Sequence, residues 1–298
     1  WIVWGSTYIG ILLATETIPP FLGMGSRFLV AFLIMLVLTG LLRGWSALRV
    51  TRREFASASF MGVALLGVGI GTVGLAQDYV PTGVMALIIA STPLTIVMWR
   101  VITRDRPSLL TLVGVFVGLA GIGWMLLPGG TRPVSGTDAD VVFWSLMILI
   151  SATIWATTSF FSARLPKPRD SFTLTTYELL SGGVSLTVVG LLVGEQIEWD
   201  QISARSWGGW IFLVTAGSVL AFSSFTWLIN NAPISLASTY AYVNPLVAVL
   251  LGLVIFREAI TSDVIIGLTV VLGGVILVVT GESLRSRSTR PVPETKVT

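Results

Sequence analysis

Two ionisable residues lie deep inside apolar runs of this 298-residue chain, Arg27 and Glu178. Charges are costly inside a bilayer and usually mark function. A guanidinium can grip a carboxylate or phosphate through paired hydrogen bonds, and a carboxylate can take an amine, a cation or a proton. The two positions are related. Trp4 and Trp155 are separated by the same interval, so Arg27 occupies in one half the place of Glu178 in the other. Each lies about seven or eight residues from the nearer end of its run, roughly 10 to 12 Å deep, but from opposite faces. In a hydrocarbon core of about 30 Å the remaining axial gap is roughly 7 Å. The pair is therefore expected to bridge, or to hold a zwitterion jointly. Glu178 is also the candidate proton carrier, while facilitated diffusion or exchange would need no such carrier.

Prolines mark the second set of candidates. Pro81 and Pro93 bound PTGVMALIIASTP, and the same spacing recurs at Pro233 and Pro245 in PISLASTYAYVNP. Pro93 and Pro245 fall near the middles of apolar runs, where each frees the carbonyl four residues earlier, at Ile89 and Ala241. Those carbonyls, with Thr92, Tyr240, Tyr242 and Asn244, are expected to face a watery cavity and bind a substrate. Trp4, Ser6, Thr7 and Tyr8, matched by Trp155, Thr157, Thr158 and Ser159, would line its other walls. The chain has no Cys and no His, which excludes disulfides, thiol chemistry and the usual imidazole ligands of zinc or copper. No nucleophile is paired with a base, so no catalytic residue, metal site or cofactor is expected.

Composition says which elements must position these residues. With 54% hydrophobic and only 11% charged residues, and a mean hydropathy of +0.88, the chain lies outside the range of soluble domains. The net charge of +3 is dispersed in short blocks between apolar runs, so nucleic acid is not an expected partner. The fold expected is an all-α membrane protein of ten transmembrane helices, near residues 1–14, 22–42, 56–77, 82–102, 109–127, 141–163, 171–193, 207–230, 235–256 and 263–280. An odd number of helices per repeat makes them two inverted five-helix repeats. The first spans 1–127 and the second 141–280, with an outer linker at 128–140 and a cytoplasmic, disordered tail at 281–298. The chain begins at Trp1 inside an apolar run, which reads as a first helix lacking its start.

Loop charge gives the orientation. Arg43, Arg49, Arg52, Arg53, Arg100, Arg104, Arg106, Arg164, Lys167, Arg169, Arg285, Arg287, Arg290 and Lys296 fall on one side, against only Arg132, Arg205 and Arg257 on the other. Positive charge stays inside, so both termini are expected in the cytoplasm of a multi-pass protein of a bacterial inner membrane. Glycines at Gly67 and Gly71, and at Gly114, Gly118 and Gly121, have the spacing for close helix packing. That packing is expected within one chain, as a monomer or homodimer.

WGSTY at 4–8, the Arg27-Phe28 pair, STYAYVNPLVAVLLG at 238–252, Glu258 and the glycine-rich last helix resemble the EamA domains of the drug/metabolite transporter superfamily, in particular its bacterial inner-membrane members. The resemblance covers essentially the whole chain. It implies a ten-helix secondary carrier with a central cavity between the repeats, and often the export of amino acids or other small metabolites. In the first repeat the place of Glu258 falls near Asp105 and Arg106, so a symmetric role for that acid is not expected. The function expected is export of a small-molecule substrate, most plausibly an amino acid, by alternating access in the lipid bilayer. A multidrug or lipid-linked substrate carrier of the same fold is the alternative.

Overall fold

The computed structural model describes residues 1–104, 107–125, 133–231, 240–251, 254–255 and 262–288. In chain order the helices are α1 (Ile2–Thr15), α2 (Pro20–Arg43), α3 (Arg52–Ala76), α4 (Thr82–Ile102), α5 (Leu109–Met125), α6 (Asp138–Phe161), α7 (Ser171–Leu192), α8 (Ala204–Asn231), α9 (Tyr240–Leu251) and α10 (Ser262–Ser288). The described residues form no strand. Six of these helices, α2, α3, α4, α6, α7 and α8, are long and apolar enough to cross a membrane. The chain is an all-helical membrane protein.

Local chemistry explains where the helices start. Thr51 with Glu54, and Thr137 with Asp140, form capping boxes at α3 and α6, each satisfying two backbone donors reciprocally. Asp170 accepts from the Thr173 amide at 2.9 Å to cap α7, and Ser203 accepts from Ser206 at 3.0 Å to cap α8. The start of α2 follows Pro19 and has no side-chain cap of its own. The Glu195 carboxylate, just beyond α7, accepts from the amides of Phe21 and Leu22 at 3.1 and 2.7 Å instead. Gly194, at φ +82°, supplies the turn that swings Glu195 back toward α2, a conformation open to glycine at little cost.

Two helices are irregular at matching places. Residues Val63–Ile70 of α3 and Leu213–Phe222 of α8 are wound as wider π-type coil, a distortion often found at functional sites. In α4 the coil breaks at Ala90–Ser91, just ahead of Pro93, as the missing proline amide requires. Pro245 differs, because it sits inside the uninterrupted helix Tyr240–Leu251. The last helix continues to Ser288, past the expected end at residue 280. GESLRSRS is polar but contains good helix formers and no breaker before Pro291, so polarity alone marked the expected boundary too early. The remainder of the expected tail, and residues 128–132 of the 128–140 linker, lie outside the described residues.

Packing joins the two halves of the chain directly. The most extensive contacts are α5 with α10 and α2 with α7; α1 packs on α8 and α9, and α6 on α3 and α4. Leu33, Val37 and Leu41 of α2 and Val184, Val188 and Leu192 of α7 are exposed, the lipid-facing stripes of that pair. Small residues set the helix separations. A Cβ on Gly114 would lie 2.5 Å from the Gly274 carbonyl oxygen, so α5 and α10 cross backbone to backbone. Gly114→Leu is therefore expected to lower the melting temperature of the detergent-purified protein, with an overpacking cost of about 1–3 kcal/mol or more. Gly208→Ala, where nothing lies within 4 Å of the added carbon, should leave the melting temperature within the scatter of the measurement.

Candidate functional site

A cavity lies where α1, α3, α4, α6 and α9 meet. Trp4, Thr7, Tyr8 and Ile11 come from α1, Gly69, Ile70 and Val73 from α3, Ile89 from α4, Ser151, Ala152 and Trp155 from α6, and Tyr240 and Asn244 from α9. Its volume is ≈ 40 Å³, room for a few ordered waters and far less than a metabolite needs.

Aromatic rings make most of the wall. Trp4 stacks on Tyr240 with centroids 5.6 Å apart, meets Phe225 edge-on at 4.8 Å, and meets Trp155 edge-on at 5.8 Å. Two bare glycines make this approach geometrically available. A Cβ on Gly5 would be 2.8 Å from Val247, so α1 can close on α9, and one on Gly69 would be 2.9 Å from the Trp155 ring. The Gln77 amide donates to the Tyr8 carbonyl at 3.0 Å and ties α1 to the end of α3.

Most polar groups here are already bonded. Thr7 donates to the Trp4 carbonyl at 2.6 Å, and Ser151 to the Gly69 carbonyl at 3.2 Å. The Ile89 carbonyl freed by Pro93 accepts from the Thr92 hydroxyl at 2.5 Å, and Thr92 is itself hydrogen-bonded with the Tyr240 hydroxyl. Asn244 is the exception. It is 2% exposed, and neither its amide nitrogen nor its amide oxygen has a partner among the described residues. Orphaned buried polar atoms are rare and call for an explanation. A bound molecule supplying one acceptor and one donor would provide it.

The sequence-predicted residues thus divide. Trp4, Thr7, Tyr8, Trp155, Tyr240 and Asn244 share the cavity wall, whereas Arg27, Thr92, Pro93, Thr158 and Glu178 do not line it. Thr92 touches it indirectly through Tyr240. Thr158 is buried in α6, and the hydroxyl of the neighbouring Thr157 accepts from Trp99 at 2.7 Å. The side chains of Tyr242 and Pro245 lie outside the described residues. Ile89, expected at the cavity through its freed carbonyl, does line it, whereas Ile11, Gly69, Ile70, Val73, Ser151 and Ala152 were not foreseen as wall residues. Ser151 could have been, since it lies one helical turn before Trp155 on the same face.

Arg27 and Glu178 are both buried, at 4% and 0% exposure, and no ion pair joins them. Arg27 Nε donates to Ser218 Oγ at 2.9 Å, while Glu178 Oε2 accepts from Thr226 at 3.2 Å. Those anchors are eight residues apart on α8, roughly 12 Å along the axis. The expectation that they bridge treated them as two side chains reaching along one line. Both instead turn sideways to separate hydroxyls on the same helix. Glu178 Oε1 has no partner among the described residues. Burial pushes the ammonium of Lys167, in the loop before α7, down from its ordinary pKa, against the pull of the Glu178 carboxylate.

The comparisons with known proteins point one way. The EamA-like transporter family matches residues 1–127 and 142–280. The inner membrane transporter YedA of Escherichia coli K12 is 34% identical over 288 residues, covering 95% of this chain and 89% of that protein. Protein PecM of Dickeya dadantii is 27% identical, covering 93% and 88%, and the transporter YoaV of Bacillus subtilis is 20% identical, covering 93% and 92%. A solved crystal structure superposes with a TM-score of 0.69 at 21% identity, covering 97% of this chain and 95% of that one, a likeness that speaks for the fold. With family matches in both halves and a relative that is one third identical along nearly its whole length, the chain belongs to the EamA-like transporter family.

Proposed function

We propose that this protein is a secondary carrier, not an enzyme, that exports a small metabolite across a bacterial inner membrane by alternating access between two inverted five-helix repeats. The repeat reading is supported by helix partnerships that persist when five is added to each helix number: α1 with α9 corresponds to α6 with α4, and α1 with α8 to α6 with α3. The π-type stretches of α3 and α8 correspond in the same way. The cavity wall is built from residues of a single chain, which fits a carrier that works as a monomer or as a homodimer of independent units.

Asn244 carries the assignment of the cargo site. An amide with both functions unpaired, set among aromatic rings, suits a molecule with an apolar body and a small polar head, and amino acids are the class that fits best. Asn244→Leu removes the orphaned polar atoms at similar volume. It is expected to hold or raise the melting temperature without ligand, since an unsatisfied buried group is costly, and to weaken cargo binding about tenfold, the equivalent of one lost hydrogen bond. Thermal stabilisation across a panel of amino acids, sugars, nucleotides and lipophilic cations checks both, and retained binding in the variant would remove Asn244 from the site.

A multidrug or lipid-linked substrate carrier is a second reading. It is favoured by one observation, that the cavity wall is aromatic and aliphatic and includes neither Arg27 nor Glu178. Cations bind such ring faces without a counter-charge. Stabilisation confined to lipophilic cations in the same panel would select it.

Coupling to protons would run through Glu178, whose carboxylate is buried with one oxygen unpartnered. In sealed vesicles Glu178→Gln is expected to abolish accumulation driven by a proton gradient while sparing exchange of cargo for cargo. Transport that is indifferent to the gradient in the native protein would make the carrier a facilitator. On this reading both termini lie in the cytoplasm and the 128–140 linker outside. Reporter fusions after Ser288 should be active only as a cytoplasmic marker, and insertions near Gly136 only as an external one.

A further inference from the structure

Among the described residues no anion pairs with the Arg27 cation. Its contacts are the Ser218 hydroxyl at 2.9 Å, the Met24 thioether at 3.3 Å, and the face of Phe28, 4.6 Å from the guanidinium carbon. None of these carries charge, and a thioether is a weak acceptor. Nη2 has no hydrogen-bond partner among the described residues. A buried charge is ordinarily paired, and the buried carboxylate that could have served is bound to Thr226, farther along α8. The guanidinium therefore has donor capacity that the protein leaves unused.

The place where that capacity points is also defined. A carbon on Gly217 would sit 3.4 Å from Arg27 Nη2 and 3.2 Å from the methyl of Thr7. The bare Cα of Gly217 is thus interposed between Arg27 and a residue of the central cavity wall. Gly217 and Ser218 both belong to the π-type stretch of α8, an irregular coil that can rewind by one hydrogen-bond register more readily than a regular helix. A small shift there would open Arg27 to the cavity without moving α2.

We propose that Arg27 and Ser218 form a binding site for a small monovalent anion, reached from the central cavity past Thr7 and Gly217, with a carboxylate as the best-matched group. Two carboxylate oxygens fit the fork of the guanidinium, and Ser218 can donate to one of them once it is released from Nε. The anion has two sources, the carboxylate of the cargo or an inorganic ion such as chloride. The first deepens the reading of the central cavity as the cargo site and rests on it; the second does not.

The test uses the full chain in nanodiscs of a neutral phospholipid, with sulfate as the background anion. Thermal stability is followed as sodium acetate, sodium benzoate and sodium chloride are titrated, for the native protein, Arg27→Gln, Ser218→Ala and Gly208→Ala. The native protein is expected to gain melting temperature with the logarithm of anion concentration once above the dissociation constant. Arg27→Gln should lose the response, and Ser218→Ala should weaken it about tenfold. Stabilisation by acetate and benzoate but not chloride assigns the site to a cargo carboxylate, and equal stabilisation by chloride assigns it to an inorganic anion. Gly208→Ala, outside the cavity wall and with nothing within 4 Å of the added carbon, should keep its acetate response. If the cargo reading fails, a persistent Arg27-dependent acetate response still upholds the anion site. Should Arg27→Gln not fold, competition between chloride and acetate on the native protein and the Ser218→Ala shift decide. No response to any of the three salts in the native protein, or one unchanged in both variants, overturns the proposal.

Discussion

Inside a bilayer core a polar group has only the protein to bond to, because no water is present to take an unpaired donor or acceptor. This chain meets that requirement locally. Ser6 bonds the carbonyl of Ile2, Thr15 that of Ile11, Thr215 that of Ile211 and Ser224 that of Leu220, each turning its hydroxyl back onto its own helix. Such residues are polar in composition but have little left to offer a ligand. Against that background the buried unsatisfied atoms among the described residues are few: Gln77 Oε1, the hydroxyls of Ser145, Ser159, Thr175 and Thr187, Glu178 Oε1, and both polar atoms of Asn244, the one amide there with neither function met. Function is read from those remainders and not from the larger number of bonded hydroxyls.

The aromatic cavity depends on residues with no side chain at all. Gly5 lets α1 approach α9 until Trp4 stacks on Tyr240, and Gly69 lets the Trp155 ring lie against the irregular part of α3. Gly62 does the same for α7, since a Cβ there would strike the backbone of Glu178. Packing in lipid rests on close backbone contact more than on expulsion of water, so these glycines hold the site as firmly as the rings that form it. The Glu195 carboxylate adds a bond of a different kind, capping α2 from the far end of α7 and thereby joining the two halves at the start of the helix that carries Arg27.

What the sequence made legible follows from what is local. Apolar length gave most of the described helix ends to within a few residues, the end of α10 excepted, and the interval separating Trp4 from Trp155 identified two walls of one cavity. Asn244 and Tyr240 stood beside a proline in an apolar run, which drew notice to them for a reason that proved only half right. The proline at 93 does free a carbonyl, but Thr92, the adjacent residue, takes it. The Arg27 and Glu178 geometry was judged from axial depth alone, and depth says nothing of the direction in which a side chain leaves its helix. Glu195 could not have been foreseen, because its partners at Phe21 and Leu22 are remote in sequence and a carboxylate beyond a helix end reads as an ordinary solvated charge. Ile70 and Val73 were invisible for the opposite reason: an apolar residue facing a cavity looks the same in sequence as one facing lipid.

If the narrow central cavity is the cargo site, as proposed, the energy of widening it constrains the cargo. Trp4 of α1 touches Trp155 of α6, Phe225 of α8 and Tyr240 of α9, so the first half of the chain is held to the second by ring contacts, each worth about 0.5–1.5 kcal/mol beyond its burial. Admitting a molecule must separate several of these. A ligand can shift a closed–open equilibrium only by its own preference for one form, so it has to replace the contacts it displaces. A wholly polar molecule offers the Asn244 amide a partner but gives the separated rings nothing, and leaves apolar surface facing water. A molecule with an apolar or aromatic body inserts between the rings and restores their contacts while its head meets Asn244. The wall that keeps the cavity closed therefore also selects what can open it, and that selection favours cargo with an apolar body over small sugars or wholly polar ions.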